Sequence, residues 1–381
     1  MEKETLQYNA FHLERRILWF CGIYSGKDFQ SQKRHFLRAM GVFLVLLIFD
    51  LSMLMKIIVD HNKLEIVFQT AYHIIVIIID QIKTVSLYRA LSRFNNLEDM
   101  LRDPIFNTET STRCTFIAKA VNNLINLKRV VWRMTIFIAT LYSLMALING
   151  NLPIPLWCPS IVLDMFNPYY QLYEVLCIWV TTATISTDLI LIGLLYLMSA
   201  QIKTLNFNLR NVTDTNPDYD AERQEKQVQD NLRISIRHHL AISDFVSKLE
   251  EIFSFGLFLQ IFSSIIAISA GGVYMVFVTL TPSSFIILVS SMTMILAQIA
   301  MYCWVGQGLL TESDQIGESC YMSEWYTCNI ATRKMFFIIM ERSKRVISFK
   351  AGKFFELSFT TLVMIIKNAY SYFTVIITAF K

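Results

Sequence analysis

Apolar residues in this chain come in long runs rather than in alternation. A window of about twenty residues picks out seven such stretches, near positions 37–59, 66–88, 131–149, 173–200, 252–280, 285–306 and 355–380. At about 1.5 Å of rise per residue, each can cross a hydrocarbon core of about 30 Å as a helix. A transmembrane barrel would need segments of about ten residues alternating in polarity. The runs FLVLLIF (43–49) and IIVIII (74–79) do not alternate. The pattern predicts an all-α integral membrane protein with seven transmembrane helices.

Composition agrees: of 381 residues, 54% are hydrophobic and 17% charged, which excludes an ordinary soluble domain. The formal net charge of +4 is small and no basic run is dense, so nucleic acid is set aside as a partner. The first apolar run follows 36 mixed residues, which is not the form of a short cleavable signal, so an internal helix is expected to start insertion.

Charge gives the orientation, because Lys and Arg concentrate in short cytoplasmic segments. Segments between successive apolar runs hold six, one, eight, none, seven, none and six basic residues. The N-terminus is therefore expected in the cytoplasm and the C-terminus outside, the reverse of a G-protein-coupled receptor. Of seven cysteines, Cys158 alone falls in a segment expected outside, so no disulfide joins two outer loops. The sequon at Asn211 lies on the expected cytoplasmic side and is read as silent.

The second outer loop, 151–170, holds four of the seven prolines and is read as a structured lid. On the inner side, VNNLINLKRVVW (121–132) and IRHHLAISDFVSKLEEIFSFGLFLQIF (236–262) keep helical apolar spacing beyond the membrane window. With ATRKMFFIIMERSKRVI (331–347) they are expected to form a cytoplasmic anchor bundle rather than solvated extensions. The expected division is a cytoplasmic segment (1–36), a six-helix membrane domain (37–306), a cytoplasmic loop with an anchor helix (307–350) and a last membrane helix (351–381). No internal repeat, nucleotide loop, catalytic signature or metal-ligand spacing is visible. His238 and His239 are adjacent, so on a helix they diverge by about 100° and are poorly placed to share a metal. Neither an enzyme nor a cofactor or metal requirement is expected.

Two stretches, YCWVGQGLLTESDQIGESCYMSEWY (302–326) and AGKFFELSFTTLVMIIKNAYSYFTVI (351–376), closely resemble the signature segments of insect odorant receptors. IRHHLAISDFVSKLEEIF (236–253) resembles the start of their fifth helix, and AYSYF (369–373) favours the odorant over the gustatory branch. The resemblance implies a ligand-tuned subunit of a tetrameric, odorant-gated, non-selective cation channel, assembled with the shared co-receptor in the plasma membrane of a sensory neuron dendrite. The chain lacks the co-receptor's insertion in the second cytoplasmic loop. It departs from the family in having no proline ahead of AGKFF. The rival readings are a gustatory-type channel, a metabotropic seven-helix receptor and a transporter.

In the last apolar stretch, Asn368, Ser371, Val375 and Thr378 share one helix face by their spacing. Four copies of that face around an axis would line a pore, with Val375 as an apolar gate and Thr378 as a polar collar. By resemblance, Val375 aligns with the family's hydrophobic gate. The competing account is that these residues pack against neighbouring helices. Lys367 is expected to pair with Asp50, Asp80 or Asp188, since a lumenal cation ring would oppose cation flow. Glu312, Asp314, Glu318 and Glu324 either line cation exits or form a solvated acidic loop. An odorant site is expected in the outer halves of four helices, from Tyr72, His73 and Val76; Thr140, Ser143 and Leu147; Tyr173, Cys177 and Val180; and Leu288 and Met292. Such an apolar, aromatic lining with a few hydroxyls suits a small volatile molecule, though plain core packing explains each residue as well.

Overall fold

The computed structural model of the chain describes residues 6–24, 29–62, 64–107, 111–149, 157, 168–215, 218, 220–277 and 282–380. Two short helices, α1 (Leu6–Asn9) and α2 (His12–Phe20), precede α3 (Phe29–Val59) and α4 (Leu64–Arg89). The short α5 (Leu91–Leu101) and α6 (Pro104–Asn107) lead to four very long helices: α7 (Ser111–Asn149), α8 (Pro168–Arg210), α9 (Ala221–Phe277) and α10 (Pro282–Tyr321). Then come α11 (Ile330–Ser343), a hairpin of β1 (Lys350–Ala351) and β2 (Phe355–Glu356), and α12 (Phe359–Phe380). Among the described residues, α3, α8, α9, α10 and α12 are long and apolar enough to cross a membrane. The other two apolar stretches lie in α4 and α7. Most of the loop read as a lid lies outside the described residues. Within it, Trp157 pairs with Ser52 of α3, whose hydroxyl donates to the Trp157 carbonyl at 2.9 Å.

Helix α9 has 57 residues, which makes it about 85 Å long, far more than a hydrocarbon core requires. The helical spacing read from position 236 therefore begins a further four turns earlier, at Ala221. The surplus length of α7 to α10 gathers with α2, α5 and α11 around one end of the apolar core, where Phe94, Leu97, Leu124, Phe245 and Phe336 are fully buried. His238 belongs to this core. It is 1% exposed, with Nε2 3.0 Å from the side-chain oxygen of Gln201 on α8.

The N-terminal residues are folded against this bundle. The Phe11 ring covers Gly193 of α8, where a Cβ would lie 2.5 Å away. Glu14 is wholly buried and its carboxylate accepts from Lys128 of α7 at 2.6 Å. Burial pulls the Lys128 ammonium below the usual lysine range, and Glu14 opposes the shift. Arg15 stands 3.6 Å from Glu98 of α5, which also accepts from the Tyr24 hydroxyl at 2.7 Å. Burial pushes the Glu98 carboxyl up, and Arg15 opposes that. Removing one member of a buried pair strands the other. Lys128→Met is expected to lower thermal stability by about 3 kcal/mol, with most of it regained in Lys128→Met/Glu14→Leu, as read by unfolding of the purified chain in detergent.

The expectation of helix from position 351 is corrected, because residues 350–356 form the hairpin and α12 begins only at Phe359. Gly352 and Lys353 have φ of 61° and 65° and sit at the centre of a tight turn in which the Phe354 amide donates to the Ala351 carbonyl at 3.2 Å, within a three-residue hairpin loop (352–354), a left-handed pair that a helix cannot hold. The Gly352 amide donates to the Ser254 carbonyl of α9 at 3.1 Å and lies 2.8 Å from its hydroxyl. Ser358 then caps α12, accepting from the Thr361 amide at 3.3 Å. The run that lacks the family's proline is tied to α10 by the Ile347 amide, which donates to the Ser313 hydroxyl at 2.7 Å.

Candidate functional site

Helix α12 has two contrasting faces. Thr361, Ile365 and Ala369 recur every four residues and are buried against α9 and α10. The Ser269 hydroxyl of α9 shares its hydrogen between the Ile265 carbonyl at 2.8 Å and the Ala369 carbonyl at 3.0 Å. One turn further, the Phe373 ring lies over Gly272, where a Cβ would meet it at 2.7 Å. On the other side Asn368, Ser371, Val375 and Thr378 are all exposed, Val375 at 60%. None of the four is buried by the described helices of the chain. Thr378 satisfies its hydroxyl on the Thr374 carbonyl at 3.0 Å, so its methyl and hydroxyl stand outward without an unmet hydrogen bond. The four residues singled out by spacing therefore form one outward stripe, and the small residues of α9 hold the opposite face.

Lys367 lies on the exposed side and none of the described ion pairs includes it. The expected pairing fails because the carboxylates are engaged elsewhere. Lys83 of α4 lies 2.8 Å from Asp188 of α8 and 3.5 Å from Asp80, one turn back on its own helix. It also donates to Gln260 of α9 at 3.1 Å, and Gln260 donates to Gln298 of α10 at 3.2 Å. Gln298 in turn donates to Asp188. Asp50 of α3 accepts from Gln81 at 3.0 Å. Lys83 and Asp188 have side chains only 7% and 9% exposed, so this is a buried ionic cluster, closed by amide groups, that ties α4, α8, α9 and α10 together. A cavity of about 20 Å³ beside it, lined by Ser86, Thr187 and Tyr302 among others, has room for about one water molecule. Sequence reading missed Lys83. The available signal was a Lys three residues after an Asp inside an otherwise apolar run.

Of the expected odorant-site residues, His73, Val76, Val180 and Leu288 lie about two to three turns along their helices from Lys83, Asp188 and Gln298 of this cluster. Leu288 is buried and Met292 packs tightly on α9, where a Cβ on Gly271 would lie 2.3 Å from its methyl. Tyr142, beside Ser143, donates to the Ile287 carbonyl at 3.2 Å, which sets α7 against α10 at this level. His73, Val76, Ser143 and Val180 are half-buried. Thr140 is exposed and its hydroxyl is spent on the Phe137 carbonyl at 2.8 Å, so it is not drawn into the buried group. The side chains of Tyr72, Leu147, Tyr173 and Cys177 lie outside those described. Among the acidic residues, Asp314, Glu318 and Glu324 are exposed, and Glu312 stands 3.8 Å from Lys203.

Comparison with known proteins adds three findings. The family model described as 7tm Odorant receptor matches residues 63–370. Among curated relatives, Odorant receptor 94a of Drosophila melanogaster is 27% identical over 96 residues, 25% of each chain. Odorant receptor 22c of the same species is 27% identical over 156 residues, 41% of this chain and 38% of that one. The Odorant receptor coreceptor of Aedes albopictus is 21% identical over 171 residues, 45% of this chain and 36% of that one. These matches thus span a quarter to 38% of the relatives' lengths. The fold is similar from end to end to that of the insect olfactory receptor OR5 from Machilis hrabei in complex with eugenol, with a TM-score of 0.82 at 13% identity over 97% of both chains. A second structure of OR5 superposes with a TM-score of 0.73 over 96% of both. Matched over most of its length by the family's own sequence pattern, and sharing the fold of an insect olfactory receptor throughout, the chain belongs to the 7tm odorant receptor family.

Proposed function

We propose that this chain is the odorant-binding subunit of a heteromeric, odorant-gated, non-selective cation channel, in which α12 lines the pore and Val375 forms the gate. The observation that carries the reading is the outward stripe of Asn368, Ser371, Val375 and Thr378, which none of the described helices of the chain covers. A ring of valines narrow enough to exclude water blocks ions without any charge, and widening it by a few ångströms lets water and ions pass. The basic-residue alternation supports seven spans with the N-terminus in the cytoplasm and the C-terminus outside the plasma membrane. Similarity to odorant co-receptors as well as to tuned receptors supports assembly with a co-receptor in a heterotetramer. The surplus helix length at one end supports an anchor bundle below the membrane.

The ligand would be a small volatile held near Leu288, Met292, His73 and Val180. A molecule of this kind binds by shape and dispersion, with few directed hydrogen bonds. Its leverage comes from binding the open arrangement more tightly than the closed one. Movement of α10 at Met292 passes to α9 through Gly271, and from α9 to α12 through Gly272 and Ser269.

The test is whole-cell current under an odorant panel that includes eugenol, in cells expressing the chain alone and with an insect odorant co-receptor. Fast cation current that requires the co-receptor supports the reading, and Met292→Ala is expected to shift the response to concentration about tenfold, equivalent to about 1.4 kcal/mol of binding. A response carried only by second messengers, with no direct conductance, would overturn it.

A further inference from the structure

Helix α2 is built inside out. Its protein side carries Glu14, Arg15 and Leu18, all buried, and both charges are paired there. Its outer side carries Leu13, Trp19 and Phe20, exposed at 51%, 43% and 71%, with Arg16 on the same side. In water such a helix is disfavoured twice, because charges lose hydration while large apolar groups keep it. It is favoured at a membrane–water boundary, where tryptophan prefers to sit and arginine reaches outward to headgroups.

The position of α2 agrees with that boundary. Gly22, just past its end, lies so close to α3 that a Cβ would stand 2.9 Å from the Ala39 nitrogen. The Arg38 guanidinium stacks 5.0 Å over the Trp19 ring. Position 38 is at the very start of the apolar span of α3. From there α3 presents Phe36, Leu37 and Met40 outward, exposed at 51%, 68% and 54%. The Arg38–Trp19 contact thus joins the outer face of α2 to the apolar flank of α3, and exposed Arg16 lies about one turn before Trp19 on α2.

We propose that α2 is an interfacial helix that seats Leu13, Trp19 and Phe20 in the membrane leaflet and holds anionic phospholipid headgroups through Arg16 and Arg38. The proposal rests on the membrane reading above but not on channel activity. The complementary charge selects the lipid: two arginines beside an aromatic wedge fit a phosphate-bearing anionic surface better than a neutral one.

The test uses the full chain reconstituted in vesicles of phosphatidylcholine and phosphatidylserine, brominated near the headgroup end of the acyl chains. The Trp19 signal is the difference in emission between the natural chain and Trp19→Phe. The expected result is loss of most of that signal to bromine and none to aqueous iodide. Retention of phosphatidylserine by Arg16→Gln/Arg38→Gln is expected to fall by about five-fold for each arginine removed. Quenching by iodide but not by bromine would make α2 a water-facing helix and overturn the proposal. Shielding from both would mean that protein, such as a second copy, covers the face, which also overturns it. Trp304 of α10, 43% exposed, is read in parallel through Trp304→Phe. If bromine does not reach it either, the membrane reading itself fails and takes the proposal with it.

Discussion

Lys83→Met is expected to abolish folded protein at the cell surface. The substitution leaves Asp188 and Asp80 inside the bundle with no cation, and it also removes the donor to Gln260. Breaking one buried pair costs about 3–5 kcal/mol, and here two carboxylates are stranded at once. Total stabilities of about 5–15 kcal/mol leave little after such a loss. The same logic predicts repair by removing the stranded charges. Lys83→Met/Asp188→Met/Asp80→Asn should recover most of the surface protein, because a buried ion pair and a well-packed apolar replacement are close in energy. Surface labelling together with the melting temperature in detergent reads both steps. If Lys83→Met folds normally on its own, the cluster is not holding α4, α8, α9 and α10 together.

The second large effect is expected at Gly306. A Cβ there would lie 2.3 Å from the Leu357 side chain, 2.4 Å from its carbonyl oxygen and 2.9 Å from its carbonyl carbon. Two of those atoms are backbone, so no rotamer change relieves the contact. Gly306→Val must push the chain at Leu357 away from α10, at the point where it turns from the hairpin into α12. Overpacking of this kind costs about 1–3 kcal/mol, and the displacement falls on the helix proposed to carry the gate. Loss of odorant-evoked current with partial loss of surface protein is expected. Gly308→Ala, two residues on, provides the control. Its nearest neighbour would be the Ser199 hydroxyl at an ordinary 3.5 Å, and the helix gains about 0.5–1 kcal/mol from the exchange of Gly for Ala.

Much of the helical layout was legible, because a span needs about twenty apolar residues and nothing in a soluble core imitates that well. The face of α12 was legible for a similar reason. Asn368, Ser371 and Thr378 are among the few polar residues in an apolar run, and their spacing places them on one face. What stayed hidden depends on partners far away in the chain. Helix α2 reads as a charged stretch because Glu14 and Arg15 point inward to Lys128 and Glu98, which lie 114 and 83 positions further on. The hairpin was concealed by the brevity of its strands and by a left-handed Lys353, which no residue preference announces. Lys367 was assigned a carboxylate partner on its own merits, but Lys83 holds two of the three candidates and Gln81 meets the third. The proposed odorant site was legible only as a layer of expected residues, and most of the loop read as a lid lies outside the described residues.

Cysteine accessibility at position 375 tests most directly whether the outward face of α12 lines a gated pore. Among the described residues the cysteines Cys21, Cys303, Cys320 and Cys328 are all buried; Cys158 can be replaced by serine, and the Cys158→Ser chain with Val375 intact, treated in parallel, measures any reaction at Cys114 or Cys177. In cells expressing the chain with an insect odorant co-receptor, Val375→Cys is exposed from outside to a charged thiol reagent, with and without odorant. The account predicts irreversible loss of odorant-evoked current, fast in the presence of odorant and slow without it. Unchanged current after complete modification of Cys at 375, verified by mass spectrometry, would contradict it.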